Sequence, residues 1–183
     1  MAYSADTFSS LEQPTLAKWN KLWANDASFN DGTGLGDNTI TSEKLKNTVA
    51  FSAYSSANIT ASSTPAKVQL ATEEFDEGSD FDAATNYRFT APYDGIYHFD
   101  GIGRITSPGD GNNCGVLLYK NGAAFSATVS AGLNVGGANT LALGVSGTVK
   151  LTAGDYVELF VSRATGSGNA QGTLSGFLVG RTA

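Results

Sequence analysis

The chain has 183 residues, of which 22 are glycine and only 15% are charged, and it carries a formal net charge of -6. This length suits one domain with an appendage rather than two full domains, and the glycine excess points to many turns and an all-β body rather than long helices. With no cluster of Lys or Arg there is no electrostatic footprint for nucleic acid or an anionic membrane surface.

The opening residues, MAYSADTFSS, have neither a basic start nor an apolar run, so no secretory signal is expected. No stretch is long and apolar enough to suggest membrane insertion. The single Cys114 leaves no intrachain disulfide, and stability is expected from packing or oligomerisation, which fits a protein folded in a cytosol.

Further along, Leu16, Trp19 and Trp23 fall at i, i+3 and i+7 with Leu22 beside them, which predicts one face of a short helix near residues 14–26. Pro14 suits its first turn and Asn25 with Asp26 its end. Both tryptophans of the chain lie on this element. A lone helix of three or four turns is marginal in water and cannot bury two indoles, so the four apolar residues are expected to dock on a partner surface. A polar, glycine-rich stretch, NDGTGLGDNTI, follows. Residues 1–48 are accordingly expected to form an anchor and linker, and residues 49–183 the main domain.

From Val49 the pattern changes to short β-branched and aromatic runs separated by turn residues. Strands are predicted near 49–54, 66–71, 85–91, 95–106, 114–120, 124–130, 139–151, 155–162 and 173–180. Some ten antiparallel strands make a sandwich or barrel. Asn121-Gly122 is a strong hairpin signal, whereas SPGDGNN at 107–113 and ATGSGNAQG at 164–172 read as long polar connections.

Few residues suggest chemistry. The only histidine, His98, lies inside a strand pattern, and one His with one Cys leaves no usual zinc ligand set within one chain. A trimer could still gather three copies of a residue around its axis. The GTGLG run at 32–36 has no preceding strand and no GK[ST] continuation, so it is not a phosphate loop. The acidic run Glu73, Glu74, Asp76, Glu77, Asp80 and Asp82 supplies oxygen ligands for calcium but lacks the EF-hand spacing. Calcium is the one cofactor left open, and no other is expected. No carboxylate pair stands out for glycoside hydrolysis, so an enzyme is the least favoured class.

Phe89, followed after five residues by Gly95-Ile96-Tyr97-His98-Phe99, resembles the signature of the globular C1q domain, the jelly-roll module of the C1q and tumour-necrosis-factor superfamily. AFSAY at 50–54, LLYKNG at 117–122, LTAGDYVELFVS at 151–162 and SGFLVG at 175–180 resemble further pieces of it in the same order. Together they cover roughly residues 49–183. Three positions depart from the pattern: Leu70 stands where the signature has Phe, seven rather than six residues separate Phe81 from Phe89, and Gly101 replaces a Phe or Tyr. The collagen-like Gly-X-Y stalk of many animal members is absent. The N-terminal AKWNKLWANDASFNDGTGLGD followed by ITSEKLKNT is similar to leading segments of bacteriophage and prophage fibre and tail-associated proteins.

The resemblance implies an antiparallel jelly roll that assembles as a homotrimer. Both faces of the 95–106 strand carry apolar groups, so one is expected in the core and the other near a subunit contact, with Tyr97, His98 and Phe99 as core or trimer candidates. Alternating strand directions place APYDG, KNGAA and TAGD at the end where Val49 leads in. The segment 55–64, the acidic stretch 72–82, SPGDGNN, AGLNVGGA and ATGSGNAQG are then expected at the far end, where recognition loops commonly lie. Asp110, Asn112, Asn113, Asn134, Asn169 and Gln171 are the ligand-binding candidates there. The implied function is a non-enzymatic phage fibre or tip protein, folded in the host cytoplasm and carried on the virion. Its first 48 residues would join other virion proteins, and its distal domain would bind a host-surface glycan or protein. A structural decoration of capsid or tail is the alternative.

Overall fold

The structure, a computed structural model, describes residues 49–134 and 139–182, with only the strand course given for 126–129. The predicted helix near 14–26 lies outside the described residues. The described chain forms twelve strands: β1 (Ala50–Tyr54), β2 (Ile59–Ala61), β3 (Ala66–Lys67), β4 (Thr72–Asp76), β5 (Phe81–Asp82), β6 (Arg88–Thr90), β7 (Gly95–Thr106), β8 (Asn113–Lys120), β9 (Ala123–Leu133), β10 (Thr140–Leu151), β11 (Tyr156–Arg163) and β12 (Gly168–Arg181).

They pair antiparallel into two sheets that face each other. One runs β10-β7-β12-β1-β4, with β2 added to β12; the other runs β5-β6-β11-β8-β9, with β3 added to β11. We call them sheet A and sheet B. The all-β jelly-roll expectation holds, with twelve strands in place of about ten. Relative to the nine predicted spans, β2, β4 and β5 are additions. The predicted strand at 66–71 contracts to Ala66–Lys67, while β12 begins at Gly168, five residues before its predicted start. Pairing with β2 and β7 draws GNAQG out of the expected loop, because ladder partners outweigh the weak strand preference of glycine and asparagine.

Alternation along β7 divides its side chains cleanly. Gly95, Tyr97, Phe99, Gly101, Gly103 and Ile105 are buried, while Ile96, Asp100, Ile102, Arg104 and Thr106 are exposed. The core between the sheets centres on aromatic rings: Phe51 stacks on Phe81 and Phe89 with centroids 4.9 and 5.0 Å away, and Phe89 meets Phe99 edge-on at 5.5 Å. Two of the three departures from the C1q-like pattern, Leu70 and Gly101, lie in the core. Leu70 is fully buried. A Cβ on Gly101 would lie only 2.7 Å from Leu159 Cδ1 and 3.0 Å from Val145 Cγ1, so neighbours from sheet B and from β10 already fill the space of the missing ring.

The chain leads in and out at one end. Leu178 N–H donates to Val49 O at 2.9 Å, and Thr182 N–H to Asp94 O at 3.1 Å. At this proximal end Asn121 (φ 51°) and Gly122 (φ 78°) form the β8–β9 hairpin turn; two consecutive positive φ values are what Asn-Gly tolerates. Asp155 ties that turn to the β10–β11 turn. Its carboxylate accepts from Asn121 Nδ2 at 2.7 Å, Thr152 N at 2.9 Å and Lys120 Nζ at 2.9 Å. These donors, the Asn121 amide foremost, hold its pKa down to about 2.

The acidic stretch 72–82 does not join the far-end loops. β4 pairs with β1, Glu77 N–H donates to Ala50 O at 3.0 Å, and Thr90 N–H donates to Asp80 O at 2.8 Å. The stretch is therefore an edge strand and turn that return to the proximal end. Apart from Phe81, which joins the core, its side chains do little for burial, and the β1 ladder holds the strand in place.

Candidate functional site

The docking candidates Leu16, Trp19, Leu22 and Trp23 lie outside the described residues. Of the other candidates, Tyr97 and Phe99 are fully buried core residues, and the Tyr97 hydroxyl donates to Tyr93 O at 2.7 Å. Neither can meet a partner. His98 points the other way, onto the outer face of sheet A.

The distal end carries the β7–β8, β9–β10 and β11–β12 connections. Two amides brace these loops to one another. Asn112, 5% exposed, donates through Nδ2 to Pro108 O at 2.8 Å and Thr165 O at 2.7 Å, and its Oδ1 accepts from Thr165 N–H at 3.1 Å. Asn134, 1% exposed, donates to Gly109 O at 2.8 Å, and its backbone exchanges bonds with Asn112 O and Gly111 N–H. Buried amides with all these partners hold the platform and have little left to offer a ligand. Replacing Asn112 by Ala would strand two carbonyls and one N–H. A loss of about 1–3 kcal/mol is expected, with faster amide exchange confined to 107–112 and 164–167. Uniformly faster exchange across β7 and β12 would contradict this bracing role.

Asp110, Asn113 and Asn169 remain exposed. Asp110 Oδ1 accepts from Gly111 N–H at 3.1 Å, Asn113 opens β8, and Asn169 lies on β12 opposite Thr60. Gln171 is not a loop residue. It pairs with Arg104 of β7 and lines a shallow groove on the outer face of sheet A with Ser52, Tyr54, Glu74, Ile102 and Arg104.

That outer face is the second candidate surface. Ile102 and Phe177 are each 48% exposed, and Ile96, Tyr54 and Phe75 are also exposed. Central strands of a sheet rarely leave so much apolar area to water unless something covers it. Sequence reading found Ile96 and Ile102 through the alternation of β7; it passed over Phe75 and Phe177, whose strand faces only the register reveals.

Within this face a polar cluster surrounds His98. Its Nδ1 lies 3.1 Å from Thr148 Oγ1 and its Nε2 3.3 Å from Ser146 Oγ. Asp100 Oδ2 also approaches Nε2, at 3.2 Å, and the Phe177 ring lies 5.4 Å away. Ser, His and Asp here do not form a relay. Serine and aspartate meet the same ring nitrogen, whereas nucleophile activation needs them on opposite ones. The neighbouring backbone N–H groups of β7 are committed to ladders with β10 and β12, leaving no free donors to stabilise an oxyanion there.

The acidic residues do not gather either. Asp82 accepts from the N–H groups of Thr85, Ala84 and Asn86 and from the Asn86 amide. The Thr85 bond leads in lowering its pKa. Asp80 is pushed the other way, mainly by burial and further by Asp76. Among the described residues no three Asp, Glu, His or Cys side chains converge on a point.

The C1q domain profile matches residues 50–179, well over half of the chain. No curated protein sequence matches it. Among solved structures, the globular domain of the zebrafish complement 1qA protein is similar at 19% identity and a TM-score of 0.59, covering 74% of this chain and 100% of that one. The Eiger TNF of S. frugiperda is similar at 10% identity and a TM-score of 0.56, covering 74% and 95%. PRD1 vertex protein P5 is similar at 12% identity and a TM-score of 0.53, covering 72% and 96%. At these identities the structures share the fold alone. The profile match, the antiparallel two-sheet architecture and the packing around Phe51, Phe89 and Phe99 agree: this chain belongs to the C1q domain family.

Proposed function

We propose that the protein is a non-enzymatic, trimeric attachment protein of a phage-type particle. Copies associate through the outer face of sheet A, residues 1–48 join the particle, and the distal loops bind a host-surface glycan or protein. The carrying observation is polarity: Val49 and the C-terminal strand share one end, while three polar loops, braced by Asn112 and Asn134, occupy the other. A rigid platform turned away from its attachment suits recognition, and three copies on one axis would let weak contacts add. The trimeric habit of C1q and tumour-necrosis-factor relatives supports self-association, as does the exposed apolar area around Ile102 and Phe177. The protein is expected to fold in the host cytoplasm and reside on the virion.

A second reading has its own support. The similarity to a phage vertex protein favours a capsid component whose trimer decorates and stabilises the particle.

Adhesion separates the two. The purified chain should bind cells of a verified host and compete with whole particles, and a variant changed at Asp110, Asn113 and Asn169 should compete at least about tenfold less well, a loss of roughly 1.4 kcal/mol. Absence of adhesion from a protein shown to be on the particle would favour decoration. Release of reducing sugars from host polysaccharide would return an enzyme to consideration.

A further inference from the structure

The outer face of sheet A places the only imidazole of the chain amid apolar residues. We infer that His98 and Asp100 make association of copies through this face proton-dependent, tightening on acidification. The inference rests on the self-association proposed above.

The geometry is local and complete within one protomer. Asp100 Oδ2 stands 3.2 Å from His98 Nε2, and both residues are flanked by the exposed Ile96 and Ile102 of the same strand. From β10, Ser146 and Thr148 contact the ring, and Lys150 lies one step towards the proximal end, opposite Ile96. From β12, Phe177 and Ser175 face His98 and Asp100 and bring no titratable group. Arg104 lies farther along β7, beyond Ile102. Asp100 is thus the charge nearest the imidazole. An unprotonated ring leaves the His98–Asp100 pair of each copy presenting a net negative charge beside the exposed Ile96, Ile102 and Phe177. A protonated ring makes the pair neutral.

Covering a hydrogen-bonded neutral pair costs less than covering a bare carboxylate beside a neutral ring. Assembly therefore favours proton uptake, and it does so once per copy. The sign follows from linkage: the state that binds more protons gains as pH falls. Association should strengthen as pH falls from 7.5 to 5.5 and weaken as it rises again. A preference of about tenfold per copy compounds over three copies to about a thousandfold in the association constant, or about thirtyfold in the midpoint concentration of assembly.

The test is sedimentation equilibrium of the full chain at pH 5.5 and pH 7.5 and constant ionic strength, for the natural sequence, His98→Gln and Asp100→Asn. The natural protein should assemble at about thirtyfold lower concentration at pH 5.5. Both variants should lose most of that difference, with Asp100→Asn remaining assembled at both pH values because no bare carboxylate is covered. His98 and Asp100 lie at the surface, so neither change disturbs the core. Assembly of the natural protein that is the same at both pH values overturns the switch and leaves the trimer standing. An equal pH response in His98→Gln also overturns it, assigning the effect to the general loss of negative charge. A monomer under all conditions removes the trimer reading, and the switch with it.

Discussion

Phe51→Ala is expected to lower the unfolding free energy by about 3–5 kcal/mol, the range for deleting a fully buried aromatic ring. Phe51 is 1% exposed and lies on β1 where sheet A meets the short strands β5 and β6 of sheet B. Its ring stacks on Phe81 and Phe89 and stands 6.3 Å from Phe99. The site cannot collapse easily. On the sheet A side the adjacent residue is Gly176, whose hydrogen faces the rings: a Cβ there would lie 2.6 Å from Phe99 Cδ1 and 2.9 Å from Phe51 Cε1. Truncation therefore opens a cavity walled by rigid rings and backbone, and both the transfer and cavity terms are lost. Denaturant unfolding at fixed protomer concentration measures the effect, since the proposed association would add a concentration-dependent contribution. Phe51→Leu should lose about half as much. A loss below about 1 kcal/mol for the alanine variant would mean that the ring cluster is not the centre of the core.

The parts of this fold legible in the sequence are those where side-chain periodicity and burial coincide. β7 alternates over twelve residues, and the Asn121-Gly122 turn announces its hairpin, so both could be read directly. β4 could not. Its TEEFD sequence looks like a solvated acidic run, and what makes it a strand is the ladder to β1, a long-range partnership that leaves no local periodic trace. β5, with two residues, is too short to show a period at all, and the predicted strand at 66–71 overran the two-residue β3. Lys67 owes its place to a 2.6 Å ion pair with Glu158 of β11, a carboxylate 4% exposed, and no spacing rule links residues so far apart in sequence.

Candidate-site residues divided for a similar reason. Asn112 and Asn134 were natural choices because loops that bind ligands are polar. Loops that bind one another are polar too, and only the partners distinguish them. The outer face of sheet A was half visible: the alternation of β7 showed that its second face carries apolar groups, but the contributions of Phe75 and Phe177 depend on register. Ser146 and Thr148 reach His98 from fifty residues away or nearly so, so the polar cluster had no sequence signature beyond the histidine itself.

Ile102→Glu is expected to convert the proposed trimer to monomers at micromolar concentration while leaving each domain folded. Ile102 is half exposed in the protomer and stands between Gly144 of β10 and Thr173 of β12, so a longer polar side chain can extend into solvent without displacing core atoms. In an assembly through this face, each copy would instead bring a carboxylate into an apolar contact whose nearest cation on the strand is Arg104, in the same groove. Covering an incompletely paired charge costs several kcal/mol per site, so a weakening of at least about a hundredfold follows, with three sites acting together. Leu133→Glu is the matched control: Leu133 is 54% exposed at the distal end of β9, away from the face, and its change should leave the mass in solution unaltered. Sedimentation gives the mass, and far-ultraviolet circular dichroism confirms the sheet content of each variant. Equal dissociation of both variants would point to a general charge effect. If Ile102→Glu remains a trimer while Leu133→Glu falls apart, the contact lies at the distal loops. The loops would then be subunit surface, and the outer face of sheet A would be the region free to meet a ligand.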